Sequence, residues 1–363
     1  MDAKMKKIFF YTVCITAAVS LFTLTGCQGE IFNSIREEVE LESSTITGDI
    51  HSLVRFTESS TDYLFVENGD IYYKNASNSY HGAWTSDSNA PNDYTYMLAS
   101  DSTYMYALGL TYTSDYTEGE NVIDHKTLYY KSSVTGAWTA ISGYESISSS
   151  TTVVLFGTNA PQASHRKAYV RIGSYVYSLN GSTLTALTTG TTSGISTPST
   201  TCVSCVYFGS STYFFNYTAS TTNETADTAA TYMYYVNGDN VYYSADGSTW
   251  TSYDFSCDDV YSIAYTSDYF VLGTSGGLQE AAHSSAGVPT GGADDDSFAN
   301  ASSTLSSSYK VNVVLAVTPA NAMLNTDVYG TANYSGTASS TSAVFDNIGL
   351  WSYYPSRAKW NRE

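Results

Sequence analysis

Positive charge is scarce in this sequence. Only 15 Lys and Arg stand against 34 Asp and Glu, for a formal net charge of −19. Such a chain repels phosphate backbones, which argues against nucleic acid as a partner. Charge of either sign is thin, at 13% of residues where typical domains carry about 25%. Beyond the first 24 residues no apolar run is long enough to span a membrane, so the body is expected to be soluble. Stretches rich in Lys and Glu, the usual material of surface helices, are almost absent after residue 45. Ser, Thr, Asn and Tyr fill their place, with 34 Tyr in all. Tyr and Thr favour strands, so the expected class is all-β.

The first residues follow different rules. Lys4, Lys6 and Lys7 precede an apolar stretch, Ile8 to Leu24, diluted by Thr12, Thr16, Ser20 and Thr23. It falls short of the ~20 residues a spanning helix needs, and a small-residue cleavage site follows it. That site, Leu24-Thr25-Gly26-Cys27, resembles the lipobox of bacterial lipoproteins. The resemblance implies export, cleavage before Cys27 and a diacylglyceryl group on the Cys27 thiol, so the expected partner is a membrane. The alternative is an ordinary secretory signal that ends near a cysteine. Gln28 after the cysteine resembles an outer-membrane address. The expected organisation is a signal peptide over 1–26, a lipidated tether over 27–48 and one domain over 49–363. In the tether, Ile31, Ile35 and Val39 recur at helical spacing among Glu30, Glu37, Glu38 and Glu40, which predicts a short acidic spacer helix.

Strand signals begin near His51 and come in fours. Ser52–Phe56, Tyr63–Glu67, Asp70–Lys74 and Gly82-Ala-Trp-Thr85 form a first unit. Tyr94–Leu98, Tyr104–Leu108, Thr127–Lys131 and Gly136-Ala-Trp-Thr139 repeat it. Later, Tyr177-Ser-Leu-Asn-Gly-Ser-Thr-Leu184 echoes Tyr243-Ser-Ala-Asp-Gly-Ser-Thr-Trp250. Hairpin ends at Trp84, Trp138, Leu184, Trp250 and Trp360 leave one double-length gap, where Tyr269–Leu278 stands as a degenerate unit before an irregular stretch to Ser308. This predicts a β-propeller of six blades, with a seventh left open by residues 279–308. A β-sandwich with extra strands explains the strands but not the recurring hairpin. Each blade is expected to be one whole unit, with closure by packing near Val54 and Trp351.

Ser244-Ala-Asp246-Gly247-Ser-Thr-Trp250 resembles the Asp-box, or BNR repeat, of sialidase-like propellers, with one residue missing between Asp and Gly. The motif is structural: Asp246-Gly247 suits a tight turn, Ser244 and Asp246 accept its free amide hydrogens, and Trp250 packs beneath. Sialidase chemistry, as the resemblance implies it, needs an arginine cluster, a tyrosine nucleophile with a glutamate, and an acid–base aspartate. The mature chain has Arg36, Arg55, Arg166, Arg171, Arg357 and Arg362, and no arginine motif of that family, so no catalytic residue is assigned. The start, tether and end also resemble a group of spirochaete lipoproteins, on Leu24–Cys27, Ile31–Val39, Gly349-Leu-Trp-Ser-Tyr353 and Trp360-Asn361.

No metal or cofactor is expected. Cys202 and Cys205 have redox or zinc spacing but no second pair, and a disulfide from either to Cys257 is the alternative to buried thiols. Asp294-Asp295-Asp296 lacks the alternation of a calcium loop. Tyr232, Tyr234, Tyr235, Tyr242 and Tyr243 are candidates to stack on sugars, although most strand tyrosines are expected in the core. The leading expectation is a non-catalytic, membrane-anchored binding or adhesion module with a protein or glycan ligand. The alternatives are a sialidase-like glycan-processing enzyme and an envelope assembly scaffold.

Overall fold

The computed structural model describes residues 46–77, 84–113, 122–157, 163, 166–173, 175–186, 216–218, 230–237, 240–244, 251–257, 259–265, 269–284, 288–294, 309–317, 327–334, 348–354 and 359–363. All lie in one compact unit, Thr45–Glu363. The signal peptide, Cys27 and the tether helix lie outside the described residues.

The described body is all-β, built of four-stranded antiparallel sheets of the kind that form propeller blades. The first sheet runs β1 (Leu53–Glu58), β2 (Thr61–Glu67), β3 (Ile71–Asn75), β4 (Thr85–Ser86), each strand beside the next. The second repeats the order with β5 (Tyr94–Ser100), β6 (Met105–Tyr112), β7 (Ile123–Lys131) and β8 (Thr139–Ala140), and adds β9 (Ile147–Ser148) on β7. The third is β10 (Val153–Gly157), β11 (Ala168–Ile172), β12 (Tyr175–Asn180) and β13 (Thr183–Ala186). The fourth is β14 (Asn216–Thr218), β15 (Ala230–Asn237), β16 (Asn240–Ser244) and β17 (Thr251–Asp254).

The fifth sheet corrects the expectation of a degenerate unit. It is complete, with β18 (Val260–Tyr265), β19 (Tyr269–Thr274), β20 (Gly277–His283) and β21 (Pro289–Asp294). Residues 279–294, expected to be irregular, supply most of β20 and all of β21. Their Gly, Ala and Ser content hides the alternation, since small residues carry little hydropathy contrast. The sixth sheet holds β22 (Tyr309–Lys310), β23 (Val314–Val317), β24 (Asp327–Tyr334), β25 (Gly349–Tyr354) and β26 (Lys359–Arg362).

Strand alternation explains how neighbouring sheets meet. On β1, Val54 and Phe56 point toward the second sheet and pack with Leu98, Met105 and Ala107. Leu53 points the other way and packs with Ile46, Ile50, Val313, Leu315 and Leu350 of the sixth sheet's side. The join of first and last sheets is therefore made by Leu53 and Leu350, one residue out of phase with the expected Val54 and Trp351. The chain ahead of β1 also takes part: Ile46 N–H donates to Glu363 O at 2.9 Å, and Leu350 N–H donates to Ile46 O at 3.1 Å. Among the described residues, 53–58 pair with β2 and with no other strand, as expected.

Side chains fasten the same join. Glu363, wholly buried after β26, accepts from Lys74 Nζ at 2.5 Å and from Trp84 Nε1 at 2.6 Å. One sheet on, Asp87 after β4 accepts from Lys131 Nζ at 2.5 Å and from Trp138 Nε1 at 2.9 Å. The lysines lie over the indoles, 5.0 Å from the Trp84 ring centre and 4.7 Å from that of Trp138. The repeated Tyr-Tyr-Lys and Gly-Ala-Trp segments are thus two halves of one joint between sheets.

Candidate functional site

The two ends of β1 carry opposite chemistry. At its C-terminal end, β1 and β2 join through Ser59 and Ser60, both with positive φ (49° and 66°). Two buried arginines converge there on Asp62. Arg166, two residues ahead of β11, donates to Thr57 Oγ1 at 2.6 Å and to Asp62 Oδ1 at 3.3 Å, and Arg55 Nη1 stands 3.8 Å from Asp62 Oδ2. Thr57 Oγ1 also donates to Asp62 Oδ1. Arg171 Nε donates to the Gly173 carbonyl of its own turn at 2.7 Å.

At the N-terminal end of β1 lies a carboxyl without a cation of that kind. β2 ends Leu64-Phe65-Val66-Glu67, and all four side chains are buried. Glu67 Oε1 accepts from the His51 and Ser52 backbone N–H groups at 2.6 and 2.8 Å, and from Ser52 Oγ at 3.3 Å. Oε2 has no hydrogen-bond partner. Burial pushes the Glu67 pKa up to about 7, against the opposing pull of His51 and the two amides. His51 Nδ1 lies 3.9 Å from Oε1, too far for a hydrogen bond, and is itself buried without a hydrogen-bond partner. A buried carboxylate oxygen and a buried ring nitrogen side by side, neither with a hydrogen-bond partner, are unusual in a folded domain.

Tyrosines roof this end. The His51 ring lies on Tyr96, with centroids 4.3 Å apart. Tyr94 and Tyr112 meet edge to face at 6.0 Å, 37% and 38% exposed. Val122, whose carbonyl accepts from Thr113 N–H at 2.9 Å, is exposed next in the chain to β7. Among the described residues the exposed large hydrophobics are these three and Tyr175. Gly69 makes the position of Tyr94 possible. Its φ is +104°, Thr95 N–H donates to its carbonyl at 2.7 Å, and a Cβ there would stand 2.5 Å from the Tyr94 ring. Burial, then the charge of Glu67, raises the Tyr94 pKa to about 12 and that of Tyr96 in the same direction.

The Asp-box expectation falls mostly outside the described residues. Ser244 ends β16, while Asp246, Gly247 and Trp250 are not described. The flanking strands pair Tyr243 with Thr251, whereas the echoing hairpin pairs Tyr177 with Ala186, so the first is one residue tighter. Of the sugar-stacking candidates, Tyr234 is buried and Tyr242 and Tyr243 pack half-buried on the core. The side chains of Tyr232 and Tyr235 are not described. Cys257 is half-buried against the core, and Cys202 and Cys205 are not described. Among the described residues no cluster of His, Cys, Asp or Glu is fit to hold a metal, and no helix is long and apolar enough to cross a membrane.

The mouth at His51, Glu67, Tyr94, Tyr96 and Tyr112 is not a site that sequence reasoning had singled out. Its one signal is Glu67, a carboxylate that continues an apolar run exactly where a core residue belongs.

No family model matches the chain, and no curated protein matches it. Among solved structures, it is similar to PorZ, a surface component of the type-IX secretion system of Porphyromonas gingivalis, over 86% of this chain and 41% of that one, at 11% identity and a TM-score of 0.27. A prolyl endopeptidase aligns over 85% of this chain and 43% of its own, at 9% identity and a TM-score of 0.34. An ancestral GH74 enzyme aligns over 86% and 42%, at 13% identity and a TM-score of 0.27. The chain spans about two fifths of the length of these proteins. The likeness is a distant one of architecture, to proteins that contain β-propellers.

Proposed function

We propose that this protein is a non-catalytic binding module, a six-bladed β-propeller held to the bacterial envelope by lipid on Cys27. The observation that carries the binding reading is the exposed Tyr94–Tyr112 pair above the buried Glu67 carboxyl. Exposed aromatics gathered on one rim are what a recognition surface requires, and elsewhere the described tyrosines mostly serve the core. The sialidase-like alternative needs arginines beside a Tyr–Glu pair. Arg55 and Arg166 sit instead at the other end of β1, bonded around Asp62. The six-blade count draws support from six described sheets and from the Lys74–Glu363 contact between the last and the first.

Two experiments test the two halves of the proposal. Metabolic labelling with a fatty-acid analogue should mark the wild-type chain and not Cys27→Ala, and equal incorporation in both would overturn the lipid anchor. For binding, envelope and host-matrix fractions are offered to the full-length chain and to Tyr94→Ala/Tyr112→Ala. Capture of a partner by the first and not the second is the expected result. Capture that ignores both tyrosines removes this mouth as the binding surface.

A further inference from the structure

We infer that the Tyr94–Tyr112 mouth takes an organic cation, a protonated or methylated ammonium group, held on the two rings beside Asp49 and above the Glu67 carboxyl. The inference rests on the binding reading above and names its ligand class.

Charge decides among the ligands that an aromatic rim accepts. The carboxylates that act on Tyr94 are those of Glu67 and Asp49. Cations in the same two sheets are committed elsewhere. Lys126 Nζ donates to the Ser149 and Thr151 carbonyls at 2.8 and 2.6 Å, Lys131 is buried on Asp87, and Arg55 lies at the far end of β1. An anion is therefore repelled at this mouth. A neutral sugar gains ring contact and nothing more from the surrounding charge. A cation gains both, because the negative faces of the rings attract it and so do the carboxylates.

Glu67 is the independent sign that something is missing. It is wholly buried, and its Oε2 meets no donor. Of the other buried carboxylates of these sheets, Asp87 and Glu363 each meet a lysine ammonium at 2.5 Å, and Asp101 accepts on both oxygens, from the Thr103 and Tyr104 N–H groups and the Tyr106 hydroxyl. A cation on the rings compensates Glu67 without touching it, since attraction through a low-dielectric wall extends over several ångströms. Glu67 lies against His51 and Ser52 ahead of β1 and acts on Tyr94 and Tyr96 of β5. His51 is the one base among them. Ionisation of Glu67 makes the mouth more negative, so affinity for a cation rises with pH.

The test uses the full-length chain in neutral detergent, at constant ionic strength. Tetramethylammonium, glucose and acetate serve as cationic, neutral and anionic probes, with binding followed by saturation-transfer NMR. Tetramethylammonium should bind more tightly at pH 8 than at pH 6. Tyr112→Ala should weaken it roughly tenfold, the loss expected for one partly desolvated ring. Tyr175→Ala, which removes an exposed tyrosine of the third sheet, should change nothing. Glu67→Gln should flatten the pH dependence while Tyr112 still matters. Binding of glucose or acetate that needs Tyr112, without binding of the cation, overturns the inference and leaves the binding reading standing. If no probe responds to Tyr112→Ala, the inference falls. Partner capture by the same variants then decides whether the binding reading falls with it.

Discussion

The joint between the first and second sheets and the joint between the second and third occupy the same place in the repeat and are made of opposite materials. Asp87 follows the fourth strand of the first sheet, and its N–H donates to the third-strand carbonyl of Ile71 at 2.8 Å. Ile141 holds that position in the second sheet, donating to Leu128 O at 2.8 Å, and Glu363 holds it in the sixth, donating to Leu350 O at 3.0 Å. Where the outgoing residue is Asp87 or Glu363, the next sheet presents Lys131 with Trp138, or Lys74 with Trp84. Where it is Ile141, the next sheet presents Leu179 and Leu184, in the places of lysine and tryptophan, within one apolar cluster. Three positions change together. One geometry thus accepts either an ion pair under an indole or three aliphatic side chains.

Both joints of the first sheet are of the ionic kind. Buried ion pairs are weak sources of net stability, because desolvation offsets most of the Coulomb gain. Their use is discrimination, since a lysine or carboxylate placed against the wrong sheet is left buried and alone. The join that brings residue 74 to residue 363 must form between segments far apart in sequence, and there a wrong apolar contact costs least and a wrong charge costs most. The largest expected effect follows. Lys74→Met leaves the wholly buried Glu363 without its cation and should lose about 3–5 kcal/mol, the usual range for removing one partner of a buried pair. Urea melts of Lys74→Met and Lys131→Met should give similar losses. A loss confined to one of them would show that the two joints are not equivalent.

Glu67 sharpens the contrast from the other side, as a buried carboxyl with no lysine. Its pKa is raised from 4.5 to about 7 by burial, so between those values the folded chain holds a proton that the unfolded chain has released. Stability contributed by that proton is present at acid pH and is lost as pH rises through the window. Glu67→Gln keeps an acceptor for the His51 and Ser52 amides and removes the charge. It should be about 3 kcal/mol more stable than wild type near pH 8, with the gain vanishing near pH 4. Melts across that range check it. Equal curves for both proteins would mean that Glu67 is compensated in solution.

A hydroxyl link between the second and third sheets gives an intermediate case. The Tyr106 hydroxyl donates to Asp101 Oδ2 at 2.7 Å and accepts from Gly181 N–H at 2.8 Å, on the β12–β13 turn. Burial, then Asp101, pushes its pKa far above the ordinary phenol range. Tyr106→Phe should cost about 1–2 kcal/mol in a denaturant melt, the price of stranding two hydrogen-bonding groups at once.

How much of this was legible in the sequence depends on distance along the chain. The four-strand units, the Tyr-Tyr-Lys and Gly-Ala-Trp echoes and the hairpin at Tyr177–Leu184 were legible because they are local. The role of the lysines was not. Each pairs with a carboxylate from the preceding sheet, and Glu363 stands 289 residues from Lys74. Closure near Val54 and Trp351 named the right sheets and the wrong strand faces, since a one-residue shift exchanges the faces. The fifth sheet is hidden in the sequence because Gly277–His283 and Pro289–Asp294 lack large apolar residues at alternate positions. The mouth at Glu67 was missed because its parts lie on three segments, around His51, Glu67 and Tyr94 to Tyr112, and nothing in any one of them announces the others.

The smallest expected effect is the most informative about the joints. If Asp87 and Lys131 serve discrimination and not stability, exchanging both for apolar residues should be tolerated where losing one is not. Asp87→Leu/Lys131→Met removes the buried charges together and approaches the aliphatic joint already present at Ile141 and Leu179. Trp138 then loses the acceptor of its Nε1–H, a loss of about 1 kcal/mol, set against the desolvation that no longer has to be met. The double variant should therefore melt within about 1 kcal/mol of wild type, while Lys131→Met alone falls well below both. Its signature should appear in refolding. With one of the two charge-coded joints of the first sheet made apolar, mispaired sheets are no longer penalised, and the yield of monomer after dilution from urea should drop although the melt is unchanged. A double variant that refolds as fully as wild type would mean that the ionic joints discriminate nothing. A double variant as unstable as the single would mean that the ion pair is a true source of stability.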